Sequence, residues 1–182
     1  MSEPFITIKS RDVEQYINEI QHRLKNPGEV MKGVGLELAE ITHEAFDEKS
    51  SPDGTPWKPL SMVTLHMRGL RKSKGRQFTK GGRLLKSYLN GSSDDRQLYQ
   101  SGSLLRTVRS ESNSHQAVLM VGPHISQVGI HQFGGMAGRN RKVHIPARPF
   151  MPIEGEGSSM ELMPKAANRI LEMIRDYLRR DL

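Results

Sequence analysis

The chain has 182 residues and no cysteine, which is long enough for one hydrophobic core and excludes disulfides and thiolate metal sites. Only 35% of residues are hydrophobic and 5% aromatic, so some segments are expected to face solvent or a partner. The net charge of +7 is unevenly spread: residues 29–49 carry six acids and two bases, whereas 58–109 carry twelve bases and only Asp94 and Asp95 as acids. Such a field favours an acidic partner, whether nucleic acid, an acidic protein surface or the acidic helix of another copy.

In chain order, residues 1–9 lack the basic-then-apolar pattern of a leader, and no segment approaches the roughly 20 apolar residues of a membrane helix, so neither a cleaved signal nor a membrane partner is expected. Ser10 is placed to cap a helix in which Val13, Ile17, Ile20 and Leu24 share one face. Asn26, Pro27 and Glu29 then give a second start signal: a capping side chain, a proline at the first helical position and an early acid. The following helix carries Val30, Val34, Leu38, Ile41 and Ala45 on one face and Glu37, Glu40, Glu44 and Asp47 on the other. Two antiparallel amphipathic helices are expected over residues 1–50, with Gly33 and Gly35 admitting a close neighbour.

Residues 51–56 are dense turn chemistry that delivers Trp57, the only tryptophan. Ser61 is placed to cap a short helix through Met67. Residues 68–86 hold eight bases and no acid: Arg68, Arg71, Lys72, Lys74, Arg76, Lys80, Arg83 and Lys86. Weak periodicity predicts an exposed basic arm. Order returns at 98–105, with a turn or helix start near Ser101, a strand over 106–111, a turn at Asn113 and Ser114, and a strand over 115–121. Gly122-Pro123 stops it. A short helix over 125–133 is closed by Gly134 and Gly135. Residues 136–143 predict a second basic loop, with Arg139, Arg141 and Lys142, and the prolines of 145–152 force an extended segment. Ser158 or Ser159 is expected to cap a last helix with Met160, Met163, Ala167, Ile170, Ile174 and Leu178 as its stripe. The whole predicts one α+β domain over 1–182, with a small mainly antiparallel sheet under amphipathic helices and two long basic loops; its α+β core spans 98–182.

Catalysis finds little footing. His115, His124, His131 and His144 cluster in sequence without zinc-ligand spacing, and Glu111 is the only acid between Asp95 and Glu154. Ser101-Gly102-Ser103 lacks the flanking glycines of a nucleophile elbow, and no glycine-rich piece has phosphate-loop spacing. No enzyme activity and no cofactor are expected. The basic arm is able to neutralise several phosphates, but only Phe78 and Tyr88 are interleaved with it, too few for a base-stacking platform.

Four blocks in order resemble the phage virion morphogenesis family, which includes tail-completion proteins of Mu-like and P2-like phages. They are Asp53-Gly54-Thr55-Pro56-Trp57-Lys58-Pro59-Leu60; Leu98-Tyr99-Gln100-Ser101-Gly102-Ser103-Leu104-Leu105; Val121-Gly122 with Ile130-His131-Gln132-Phe133-Gly134-Gly135; and Ile145-Pro146-Ala147-Arg148-Pro149-Phe150. The similarity runs from about residue 39 to the last helix. One departure is Gln127-Val128-Gly129, where the family commonly has Tyr-Ala. The resemblance brings no catalytic residues and marks Trp57, Gly102, Leu104, His131, Phe133, Gly134, Gly135, Pro146, Arg148, Pro149 and Phe150 as architectural. It implies a structural role in tail completion or head–tail joining, with assembly in the bacterial host cytoplasm and a place in the virion's tail or neck. The implied partners are other tail or neck proteins and further copies in a ring. The alternative is a non-enzymatic accessory protein in non-specific contact with DNA. The eleven cations of the two loops are the expected interaction surface, with acidic helix 29–49 and basic arm 68–86 of neighbouring copies pairing.

Overall fold

The computed structural model describes residues 11–98, 102–122, 127–155 and 159–179. Ser10, Tyr99, Gln100, Ser101, Pro123, His124, Ile125 and Ser158, and the side chain of Val13, lie outside the described residues. The architecture is α+β. Its described strands pair antiparallel as three separate two-stranded ribbons.

Helix α1 (Arg11–Lys25) forms where the apolar spacing puts it, but Ile17 and Leu24 are 48% and 62% exposed. The expected packing of that stripe along α2 (Gly28–Glu48) is therefore not found. A polar tether takes its place: Arg23 Nη1 donates to the carbonyls of Tyr177 (2.7 Å) and Leu178 (3.2 Å), late in α7 (Pro164–Arg179). Asn26 does not cap α2 either. Its Nδ2 donates back to the His22 carbonyl, closing α1, and Pro27 takes the cap position with no side-chain bond.

Helix α2 is the central element. Leu38, Ile41 and Ala45 are buried as their spacing requires, together with Gly35, Thr42 and Phe46. It packs against α7 and against the ribbon of β1 (Arg109–Ser112) and β2 (Ala117–Met120). The two glycines permit this approach: a Cβ on Gly33 would lie 3.1 Å from Met173 Sδ, and one on Gly35 would lie 3.2 Å from Ser110 Cβ. Across the α2–α7 contact Arg169 is held by Glu37 (2.7 Å) and Glu44. Two of the four acids on the polar face of α2 are thus bound to Arg169 of α7. These partners raise the Arg169 pKa, chiefly through the hydrogen bond that Arg169 donates to Glu44.

Ser61 caps α3 (Met62–Lys72), accepting from the Thr64 N–H, but the helix runs five residues past Met67. Lys86 begins another helix, α4 (Lys86–Ser92). The predicted free arm at 68–86 is therefore a helical hairpin packed on itself, with a tip drawn together by the Phe78–Leu84 bridge. Small residues make the packing possible. A Cβ on Gly91 would lie 2.7 Å from the Arg68 carbonyl oxygen, and one on Gly69 would lie 2.7 Å from the Tyr88 ring. Arg68 is not a free cation: Nη1 donates to the carbonyls of Asp94 (2.8 Å) and Arg96 (2.9 Å).

The next elements are the short helix α5 (Ser103–Arg106) and ribbon β1–β2, in the register Arg109 opposite Met120. The first strand starts later than expected because residues 103–106 turn as a helix. Asn113 closes the ribbon, its Oδ1 accepting from the N–H groups of His115 and Gln116. Helix α6 (Val128–Phe133) ends at Gly134. The predicted loop at 136–143 is instead a hairpin of β3 (Gly135–Ala137) and β4 (Val143–Ile145), reversed by Gly138, Asn140 and Arg141 at positive φ. Strands β5 (Ile153–Glu154) and β6 (Glu161–Leu162) form the third ribbon. They displace the start of the last helix from Ser158 or Ser159 to Pro164, so Met160 and Met163 precede α7, whose buried residues are Ala166 and Ile170. One core cluster holds Ala45, Phe46, Trp57, Leu104 and Phe150, and another holds Ile41, Met163 and Ala166. No described helix is long and apolar enough to cross a membrane.

Candidate interaction site

The site is built outward from the tryptophan. In the turn before it, Gly54 (φ 97°) donates to the Ser51 carbonyl, and Asp53 Oδ1 accepts the Thr55 N–H at 2.7 Å. That bond holds the Asp53 carboxyl below its usual range. The turn delivers the Trp57 ring edge-on to Phe46, with centroids 5.8 Å apart. The indole N–H donates to the Pro149 carbonyl at 2.8 Å. Phe150 is 0% exposed and also packs on Phe46, with centroids 5.4 Å apart, and Leu104 completes the cluster. Gly102, at φ 69°, supplies the cap from which α5 aims Leu104 inward.

Arg148 fastens the closing block to the tryptophan block. Its Nε and Nη2 both donate to the Lys58 carbonyl (3.0 and 2.9 Å), and Nη2 also reaches the Pro59 carbonyl (3.3 Å). The guanidinium thus makes a two-point contact on backbone oxygen. Burial first, then the charge of Arg68, lowers the Arg148 pKa. The Arg148 N–H donates to the His131 carbonyl, joining α6 to the same block. Burial, then Arg148, holds His131 below its usual 6.5, and Nδ1 is buried with no hydrogen-bond partner among the described residues.

Gln132, which the sequence did not single out, is the polar centre of this junction. Its Oε1 accepts from the N–H groups of Phe150 and Met151 (3.0 Å each), and its Nε2 donates to the carbonyls of Met151 (3.1 Å) and Ile153 (3.4 Å). One buried amide thus pairs with backbone groups of the extended segment as far as the first residue of β5. Phe133, expected to anchor the block, is 47% exposed. The helix turns Gln132 inward and leaves Phe133 outside. Gly134 (φ 73°) is required here, because a Cβ would lie 2.8 Å from the Ala147 nitrogen. Gly135, at φ 144°, continues the reversal, and Pro146 and Pro149 sit half-buried on either side of Arg148.

Outside this junction, between α3 and residues 143–148, lies a cleft of about 430 Å³. Arg68, Arg71, His131, His144 and Arg148 line it, and none of its lining residues is Asp or Glu. Fold and sequence therefore part company over the predicted cations. Arg68 and Arg71 meet Arg148 here. Lys72, Lys74, Arg76, Lys80, Arg83 and Lys86 are exposed along the α3–α4 hairpin, and Arg139, Arg141 and Lys142 are exposed at the tip of β3–β4. A second overlooked anchor is Asp94. It binds Arg96 at 2.9 Å, has Arg68 at 3.7 Å, and is lowered to about 2, mainly by the Arg96 hydrogen bond. The described residues include no group of three or more His, Asp or Glu arranged to hold a metal.

All four blocks that carried the resemblance thus converge on one junction, and the comparison with known families agrees. The model of the phage virion morphogenesis family matches residues 8–97 and 88–179. The chain belongs to that family. The two matches to the virion morphogenesis model overlap at residues 88–97, in the second limb of the basic hairpin and the loop after it. The Mu-like prophage FluMu G protein 2 of Haemophilus influenzae is 42% identical over 80 residues, which are 44% of this chain and 50% of that relative. This chain thus spans about half the length of the curated relative it matches. No solved structure matches it.

Proposed function

We propose that this virion morphogenesis protein is a structural, non-enzymatic component that completes the tail or joins it to the head of a tailed phage. The observation that carries this reading is the use made of the family blocks. Trp57, Leu104, Gly134, Arg148 and Phe150 spend their chemistry on one another, on backbone carbonyls and on close packing. The two hairpins instead present exposed cations to solvent, with apolar side chains such as Phe78 and Val143 exposed among them. These cations are the proposed partner surface, facing tail or neck proteins or another copy. In a ring of copies, the exposed acids Glu40 and Asp47 of α2 are the counterpart of the basic hairpin. Each such pair contributes roughly 0–1 kcal/mol, so pairing sets register more than affinity.

The test is complementation of a phage or prophage lacking this gene, with electron microscopy of the particles. Unjoined heads beside defective tails, restored by the wild-type chain, are expected. Normal joined particles without the protein contradict the proposal. A second reading, non-specific DNA contact, is favoured by the acid-free run from Arg71 to Lys86. A mobility shift whose affinity falls steeply with salt supports it.

A further inference from the structure

The basic cleft beside β4 is not used by the junction it adjoins. We propose that it takes an extended acidic segment of a partner protein, laid along the free edge of β4 with carboxylates on Arg71 and the Arg148 side of the cleft.

Shape gives the first reason. Val143, His144 and Ile145 all line the cleft. Successive residues of a strand point to opposite faces, so a cleft that touches three in a row runs along the strand's edge. Strand β4 pairs with β3 alone among the described strands. Its outer edge therefore carries backbone groups outside any ladder, the template on which a further strand adds. A volume of about 430 Å³ suits a short length of chain and not a folded surface.

Charge gives the second reason. Arg68, Arg71 and Arg148 face the cleft with two imidazoles and no lining carboxylate. The carboxylate of Asp94 lies near Arg68 (3.7 Å) and is itself committed to Arg96. The hydrogen bonds of Arg148 go to carbonyl oxygens, which leave its charge uncompensated. Burial and then the Arg68 charge lower the Arg148 pKa, and an anion between the two guanidinium groups offsets their repulsion. Met67 and Val143, 56% and 53% exposed, supply apolar walls between the cations. Alternating carboxylate and aliphatic side chains match this surface. A nucleic-acid strand matches it less well, because no Phe, Tyr or Trp lines the cleft for a base to stack on.

This inference rests on reading the chain as an assembly protein that works through contacts, yet its test needs only the purified protein and is separate from particle yield. The probe is a fluorescein-labelled peptide of about eight residues alternating glutamate and valine, followed by fluorescence anisotropy. Saturable binding is expected, weakened roughly tenfold or more by Arg71→Glu, since a charge-assisted hydrogen bond is replaced by repulsion. Met67→Glu places a like charge against the same peptide and is expected to weaken it similarly. It serves as the second variant should Arg71→Glu fail to fold by circular dichroism. Methylating alternate peptide amides is expected to abolish binding, and the lysine-for-glutamate peptide is expected not to bind. No saturable binding, unchanged affinity in both variants, or full binding by the methylated peptide would each overturn the proposal. So would tighter, Arg71-dependent binding of a single-stranded oligonucleotide of equal charge. A wild-type dimer in sedimentation that excludes the peptide and is lost in Arg71→Glu would assign the cleft to a second copy instead.

Discussion

At the scale of single residues, the junction depends on one amide. Gln132 makes four hydrogen bonds to a segment that prolines hold out of any helix, beside the single bond that the buried Trp57 indole gives to the Pro149 carbonyl. Gln132→Leu keeps much of the volume but leaves up to three backbone groups unpaired, the N–H groups of Phe150 and Met151 and the Ile153 carbonyl, while the Met151 carbonyl keeps the Ile153 N–H. Each buried loss costs about 1–3 kcal/mol, so a stability loss of several kcal/mol is expected in denaturant unfolding, whereas the exposed Phe133→Ala is expected to cost under about 1 kcal/mol. Next to it, His131 gives a pH signature. Its folded pKa is depressed below 6.5, so the folded state resists the proton that the unfolded chain accepts. Its effect is absent above pH 6.5 and becomes a progressive loss of stability as pH falls below that value, levelling off once pH passes the lower folded pKa. Melting temperatures compared at neutral pH and about one unit below the usual imidazole pKa are expected to fall more for wild type than for His131→Gln. Equal slopes would show that the ring is solvated in the folded state.

Elements were legible where one side of a periodic pattern is buried against a neighbour. Leu38, Ile41 and Ala45 predict α2, and Ser61 predicts the start of α3, because a local pattern and a local cap decide both. The second half of α3 was hidden. Arg68, Arg71 and Lys72 look solvated by composition, and the helix is held by contacts nineteen or more residues away, with Gly91 and Tyr88 of α4. Gln132 was hidden for a related reason: its partners belong to the extended segment, which no local pattern pairs with α6. The two-residue strands β5 and β6 have no periodicity to read. The α3–α4 packing makes its own prediction. Gly91→Ala gains helix propensity of at most about 1 kcal/mol but sets a methyl 2.7 Å from the Arg68 carbonyl oxygen and 2.9 Å from Gly69 Cα. Backbone yields poorly, so the helices must separate, at a cost of roughly 1–3 kcal/mol. Trypsin is expected to cut faster at Arg68, Arg71 and Lys72 in that variant. Gly81→Ala, with nothing within 4 Å of its Cβ, is the matched control and is expected to cut at the wild-type rate.

At the scale of the whole molecule, stability and charge occupy different places. The apolar clusters join α2, the tryptophan turn, α5, the 148–152 segment and the start of α7, while nine of the exposed cations sit on two hairpins beyond them, besides Arg71, which lines the cleft. Reversing Arg71, Lys72 and Lys74 to glutamate touches exposed side chains, for which changes of about 0.5 kcal/mol or less are usual, so melting and helicity are expected to stay close to wild type. Assembly is expected to fail, because like charges set against each other at an interface cost several kcal/mol. Phe150→Ala is expected to act in the opposite order. Removing a ring that is 0% exposed and packed on Phe46 lowers stability by roughly 3–5 kcal/mol, and loss of particles follows from loss of fold. Infectious yield from complementation, set beside thermal melts of the purified variants, separates the two. A triple reversal that melts normally and still supports normal yield would make the α3–α4 hairpin a solvated surface, and the partner would then have to dock on β3–β4 or on the exposed stripe of α1.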